Sequence, residues 1–180
     1  MLVRDDLAVA AEIDWLAEEG RWGAPRALAL DPGWTTGWAL SDGACGHFSV
    51  EQHRGEDEAL ACWAFYEQVA GLLFLRRPRV LVVEQPKGRW AATEWPNTLR
   101  RLAHMAAVMH AVARAEVTAT AARKAVIGRA FRRKGEREED FDATIRAAVL
   151  ERGFCARNEH EADAAAVLCA WRMRWKGGAL

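Results

Sequence analysis

The chain has 180 residues, about half of them apolar, with 25 basic and 25 acidic side chains and no formal net charge. That is enough sequence for one domain with a real hydrophobic core, and it excludes global disorder. The balanced charge says nothing about a polyanionic partner, so only local clusters can argue for one.

In chain order, residues 5–20 carry Val9, Ile13 and Leu16 on one helical face, ended by Gly20 and by Gly23-Ala24-Pro25. This predicts an N-terminal helical extension over 1–25, ahead of a main domain over 26–180. The first strand is 26–31, closed by the turn Asp31-Pro32-Gly33. Gly37–Leu40 forms a second strand, Ser41-Asp42-Gly43 a hairpin turn, and Cys45–Val50 a third strand. Leu60, Trp63, Ala64, Val69, Leu72 and Leu73 mark a helix over 57–75, stopped by Pro78. Strand four is 79–84, followed by a loop from Gln85 to Trp95. A long helix spans 97–115, Val117–Thr120 is a fifth short strand, and a basic loop follows. Helices at about 140–152 and 159–175 complete the chain. The order β-β-β-α-β-α-β-α-α predicts an α/β fold, a mixed five-stranded sheet with helices on both faces.

The four cysteines, Cys45, Cys62, Cys155 and Cys169, have no C-x-x-C spacing. Cys45 and His47 alone make a poor zinc site, and reduced thiols in a cytoplasmic compartment are expected. Six acids within the first twenty residues argue against a transit peptide. No signal peptide and no apolar stretch of membrane-spanning length is read, so no membrane partner is expected.

The chemistry concentrates at strand ends. Ala27-Leu28-Ala29-Leu30 ends on Asp31, and Val80-Leu81-Val82-Val83 ends on Glu84. Four consecutive apolar residues read as a strand buried on both faces, and an ionised acid at its end is costly unless a cation meets it. A third acidic group, Glu159-His160-Glu161-Ala162-Asp163, opens the last helix. The plain readings are a turn-starting Asp31, a solvent-facing Glu84, and a capping pair Asn158/Glu161. Capping explains His160 and Asp163 less well, because Asp163 shares the apolar stripe of that helix. Together, Asp31, Glu84, His160 and Asp163 fit a two-metal site of the kind that hydrolyses phosphodiesters, with two Mg²⁺ or Mn²⁺ ions.

Between 114 and 134 lie Arg123, Lys124, Arg129, Arg132, Arg133 and Lys134 among others, opposed only by Glu116. Such a run is a solvated loop in most proteins; beside a phosphoesterase site it reads as a clamp on a nucleic-acid backbone. Lys87, Arg89 and Trp90 in the loop after Glu84 add charge and a surface for an unpaired base.

Leu28-Ala29-Leu30-Asp31-Pro32-Gly33-x-x-x-Gly37-Trp38-Ala39 resembles the opening motif of the RuvC family of Holliday junction resolvases. Val82-Val83-Glu84-Gln85 is similar to its second motif. Ala122-Arg123-Lys124-Ala125-Val126-Ile127-Gly128 is similar to its basic segment, and His160-Glu161-Ala162-Asp163-Ala164 to its last motif. The resemblance runs in order from about 26 to 175. It implies a ribonuclease H-like fold, a homodimer paired through the helix 97–115, and Mg²⁺- or Mn²⁺-dependent paired nicking of four-way DNA junctions. The products would carry 5′-phosphate and 3′-hydroxyl ends, and no small-molecule cofactor is needed. Asp31 would bridge both metals, with Glu84, His160 and Asp163 completing the site. Lys124, or Arg123 beside it, would neutralise the scissile phosphate. Lys87 stands where the family often has a stacking aromatic, Trp34 replaces a small residue, and the first 25 residues are extra. These departures suggest a divergent, phage or mobile-element type of resolvase, working in the cytoplasm of a bacterium or a phage-infected cell. A nuclease for flaps, forks or other branched DNA is the nearest alternative, and a non-catalytic DNA-binding module the next. The Asp31-x-Gly33-x-x-x-Gly37 segment also resembles the phosphate loop of actin-like ATPases, which need two such domains.

Overall fold

The computed structural model describes residues 25–55, 57–86 and 94–176. The expected helix over 5–20 and the loop residues Lys87, Arg89 and Trp90 lie outside them. The strands are β1 (Ala27–Asp31), β2 (Thr35–Leu40), β3 (Cys45–Ser49), β4 (Val80–Gln85) and β5 (Ala113–Thr118). The helices are α1 (Glu58–Arg76), α2 (Glu94–Met109), α3 (Ala119–Ile127), α4 (Glu138–Glu151) and α5 (Glu159–Lys176). The sheet order is β3-β2-β1-β4-β5. The first three strands pair antiparallel, and β4 and β5 run parallel to β1.

Alternation along the strands builds two cores of different grain. Leu28, Leu30, Leu81 and Val83 point to one face, where they meet Phe65, Val69 and Leu73 of α1 and Leu99 and Ala103 of α2. Ala27, Ala29, Ala39, Val80 and Val82 point to the other, covered by α3, α4 and α5. Small residues on that face let α5 lie close against the sheet. α5 carries Ala162, Ala164, Ala165, Ala166 and Ala170 and is buried almost all round from Glu161 to Trp171.

Four expectations need correction. The helix expected over 97–115 ends at Met109, and Ala113–Thr118 is β5. Ala111 turns the chain at φ 53° without the glycine that such a left-handed position favours. The basic stretch read as a loop contains α3, capped by the Thr118 hydroxyl, which accepts from the Ala121 N–H at 3.3 Å. On α1 the buried stripe is Ala61, Phe65, Val69 and Leu73, whereas Leu60 is exposed, as is Trp63, which fits a core position by its helical spacing. That helix is apolar on most sides, so its pattern had no unique phase. By length and composition alone it is also long and apolar enough to cross a membrane, contrary to the sequence reading. Its buried stripe packs on the sheet as a core helix does.

Candidate active site

The parallel register pairs Leu30 with Val83, so Asp31 and Glu84 follow side by side at the C-terminal ends of β1 and β4. Two residues beyond Ala29 and Val82, both acids face the α3–α5 layer. The turn after Asp31 is closed by buried Thr36, whose hydroxyl donates to the Gly33 carbonyl at 3.0 Å.

Gly37 of β2 sits opposite Asp31. A Cβ there would lie 1.8 Å from the His160 carbonyl oxygen and 2.3 Å from its carbon. The first turn of α5 therefore rests directly on Gly37, which only a residue without a side chain permits. This contact carries Asp163, one turn further along, to the acids on β1 and β4. On the other side, β5 pairs Thr118 with Gln85 and turns straight into α3, whose Arg123 reaches the same place.

Asp31, Glu84, Asp163 and Arg123 line one cleft of about 890 Å³, with Trp34, Arg54, Trp95 and Phe131 among the other lining residues. Burial raises the Asp31 carboxyl to about 6, opposed by Arg123. Burial and then the Asp31 charge raise Asp163 to about 7, opposed by Arg123 and His160. Glu84 is pushed well above the ordinary range by burial and then by the charges of Asp31 and Asp163. One guanidinium thus faces three crowded acids, which cannot all ionise together unless a further cation offsets them.

Among the described residues, no group of three or more His, Cys, Asp or Glu side chains is drawn close enough together to hold a metal ion. The donors are oxygen-rich and line an open cleft. A hard ion such as Mg²⁺ keeps several waters and takes only one or two carboxylates directly. The donor set therefore fits Mg²⁺ or Mn²⁺ and not a soft-ligand site.

The other expected residues are placed as follows. His160 is not among the residues lining the cleft; its Nε2 lies 3.8 Å from the Glu159 carboxylate. Lys124 is exposed on α3 and does not line the cleft, whereas its neighbour Arg123 does. Arg129 is committed to Glu136 through two bonds of 2.6 Å. Arg132 lies 3.7 Å from Glu138, and Arg133 and Lys134 are exposed on the same loop. Glu161, whose role the sequence left open, turns away from the cleft. It is fully buried and accepts from the Arg157 backbone N–H at 2.8 Å and pairs with His47 Nδ1 at 2.8 Å. Burial pushes its carboxyl up, but the Arg157 N–H, His47 and the Arg157 guanidinium outweigh that and hold it below the ordinary range. Asn158 Oδ1 accepts from the Glu161 N–H at 2.9 Å, as the expected cap requires. His47 is thereby occupied with Glu161, and burial pushes the Cys45 thiol up to about 12.

Sequence reasoning missed Arg54 and Phe131. Arg54 gives no local signal, while Phe131 is the one aromatic inside the basic run from Arg129 to Lys134.

No model of a known protein family matches the sequence, and no curated protein does. Solved structures do. RuvC from Thermus thermophilus is 16% identical with a TM-score of 0.65, covering 86% of this chain and 97% of that one. The same protein in complex with a Holliday junction substrate is 17% identical at the same score and coverage. The yeast mitochondrial Holliday junction resolvase Ydc2 is 13% identical with a TM-score of 0.52, covering 96% and 95%. The likeness is one of architecture, and by it the chain adopts the RuvC-type, ribonuclease H-like fold.

Proposed function

We propose that this protein is a divalent-metal-dependent endonuclease that resolves four-way DNA junctions by paired nicks, acting as a homodimer. The observation that carries the reading is the convergence of Asp31, Glu84, Asp163 and Arg123 in one cleft at the ends of β1 and β4. Its likeness in fold to Holliday junction resolvases supports the substrate class.

In this reading Asp31, Glu84 and Asp163 hold two Mg²⁺ or Mn²⁺ ions, with His160 at the edge of the set. When bound, the ions lower the pKa of an attacking water and stabilise the leaving oxygen. Arg123 offsets the acids and offers its guanidinium fork to a phosphate oxygen. Lys124, Arg132, Arg133 and Lys134, together with Lys87 and Arg89 that follow Glu84 in the sequence, grip backbone phosphates around the branch and add no sequence preference. Met105, Val108 and Met109 expose an apolar face on α2 beside the edge strand β5, which suits pairing with a second copy. The work is done where the cell keeps its DNA, in the bacterial or phage-infected cytoplasm.

The test is cleavage of an end-labelled four-way junction beside fork, flap and linear duplex, with Mg²⁺, Mn²⁺ or EDTA. Symmetric, ion-dependent nicks confined to the junction support the reading. Equal cleavage of forks and flaps moves the function to general branched-DNA processing. Binding without any cleavage moves it to a DNA-binding module.

A further inference from the structure

Phe131 is 75% exposed and lines the same cleft as the acids, yet its small neighbour Ala130 is buried. The loop that presents it is braced. Arg129 grips Glu136 by two bonds of 2.6 Å and donates to the Phe131 carbonyl at 3.0 Å. The same Glu136 accepts from the Arg133 N–H at 2.8 Å, and the Arg129 guanidinium lies 4.9 Å from the centre of the Phe141 ring. A large apolar ring is thus held out of the core by a rigid support, not left there by a slack loop. The other aromatic pair in the cleft is already satisfied. Trp34 stacks on Trp95 at 4.1 Å, and Arg54 lies 5.6 Å from the Trp34 ring. Among the described residues, Phe131 is therefore the aromatic surface that the cleft offers to a ligand. Around it, Arg54 and Arg123 line the cleft, and Arg132, Arg133 and Lys134 share its loop. A flat apolar ligand joined to negative charge fits this setting, and an unstacked nucleobase on its phosphate chain is such a ligand.

We infer that Phe131 is a specificity-determining residue that stacks on a nucleobase displaced from its helix next to the cleaved phosphate. The inference rests on the nuclease reading and deepens it, because a base must leave its stack before Phe131 can hold it. DNA whose bases unstack easily at the cut site is then favoured over continuous duplex.

The test places 2-aminopurine beside the cleavage position of a four-way junction and measures its emission on binding in EDTA, where no turnover occurs. Wild type is expected to raise the emission as the base leaves its stack. Phe131→Ala and Phe131→Leu should lose most of that rise, and Phe131→Trp should position the base as wild type does, read by its cleavage rate. With Mg²⁺, Phe131→Ala should cleave a fully paired junction about 10-fold more slowly or worse, and a mismatch at the probed position should restore the rate. A merely structural role for Phe131 would not be rescued from the DNA side. An equal rise in Phe131→Ala, or a mismatch without effect, overturns the inference while leaving the nuclease reading intact. Failure of wild type to bind or cut any branched DNA overturns both.

Discussion

Replacing Gly37 by alanine tests how α5 meets the sheet. The new Cβ would sit 1.8 Å from the His160 carbonyl oxygen and 3.0 Å from the Glu161 nitrogen, and both are backbone atoms that no rotamer change can move. Ordinary contact begins at 3.4 Å, so the first turn of α5 must retreat by about 1.5 Å. Overpacking of this kind costs about 2–3 kcal/mol, which lowers Tm by roughly 5–10 °C for a domain of this size. The same retreat draws Asp163 away from Asp31 and Glu84. A misplacement of about 1 Å in catalytic groups costs about 100-fold in rate, so junction cleavage should fall further than stability does. Thermal unfolding followed by circular dichroism, with a cleavage assay well below Tm, reads both effects. A Gly37→Ala protein with unchanged Tm and unchanged activity would refute the seating of α5 on β2.

Other expectations follow from the ion pairs. Glu136 is held at about 2 by its bonds to Arg129, below its ordinary value of 4.5. A depressed carboxylate adds stability above pH 4.5 and loses it as the pH falls toward 2. Wild type should therefore melt above Glu136→Gln at pH 6, with the gap closing across that window; a gap independent of pH would contradict the pairing. Glu161→Ala should cost about 2–3 kcal/mol in chemical denaturation, because it strips the acceptor from the Arg157 N–H and from His47, and Glu161→Gln should cost less. Arg123→Ala should slow cleavage at least about 10-fold while Lys124→Ala leaves the chemical step near wild type; the reverse order would return the phosphate-neutralising role to Lys124.

The parts of the fold that were legible from sequence are those in which burial dictates composition. β1 and β4 are covered on both faces, so their runs of apolar residues announced them, and the strand-end positions of Asp31 and Glu84 pointed to the site. The fifth strand was read at Val117–Thr120, four residues late, because Ala-Arg-Ala-Glu at its start has weak strand preference and is held as an edge strand by pairing with β4. That late placement covered the start of α3, and without the phase of α3 no argument could tell Arg123 from Lys124. The exposure of Trp63 was illegible for a related reason, since α1 is apolar on the face it leaves to solvent. Arg54 and Phe131 enter the cleft from loops, where position is set by contacts such as Arg129–Glu136 that no local pattern encodes.

The central claim is that Asp31, Glu84 and Asp163 form a cation site, and calorimetric titration of Mn²⁺ into wild type and Asp31→Asn tests it most directly. Saturable binding to wild type, lost or weakened at least about 10-fold in a folded Asp31→Asn, is what this arrangement predicts. Absence of binding to wild type, or equal affinity in both proteins, would contradict it.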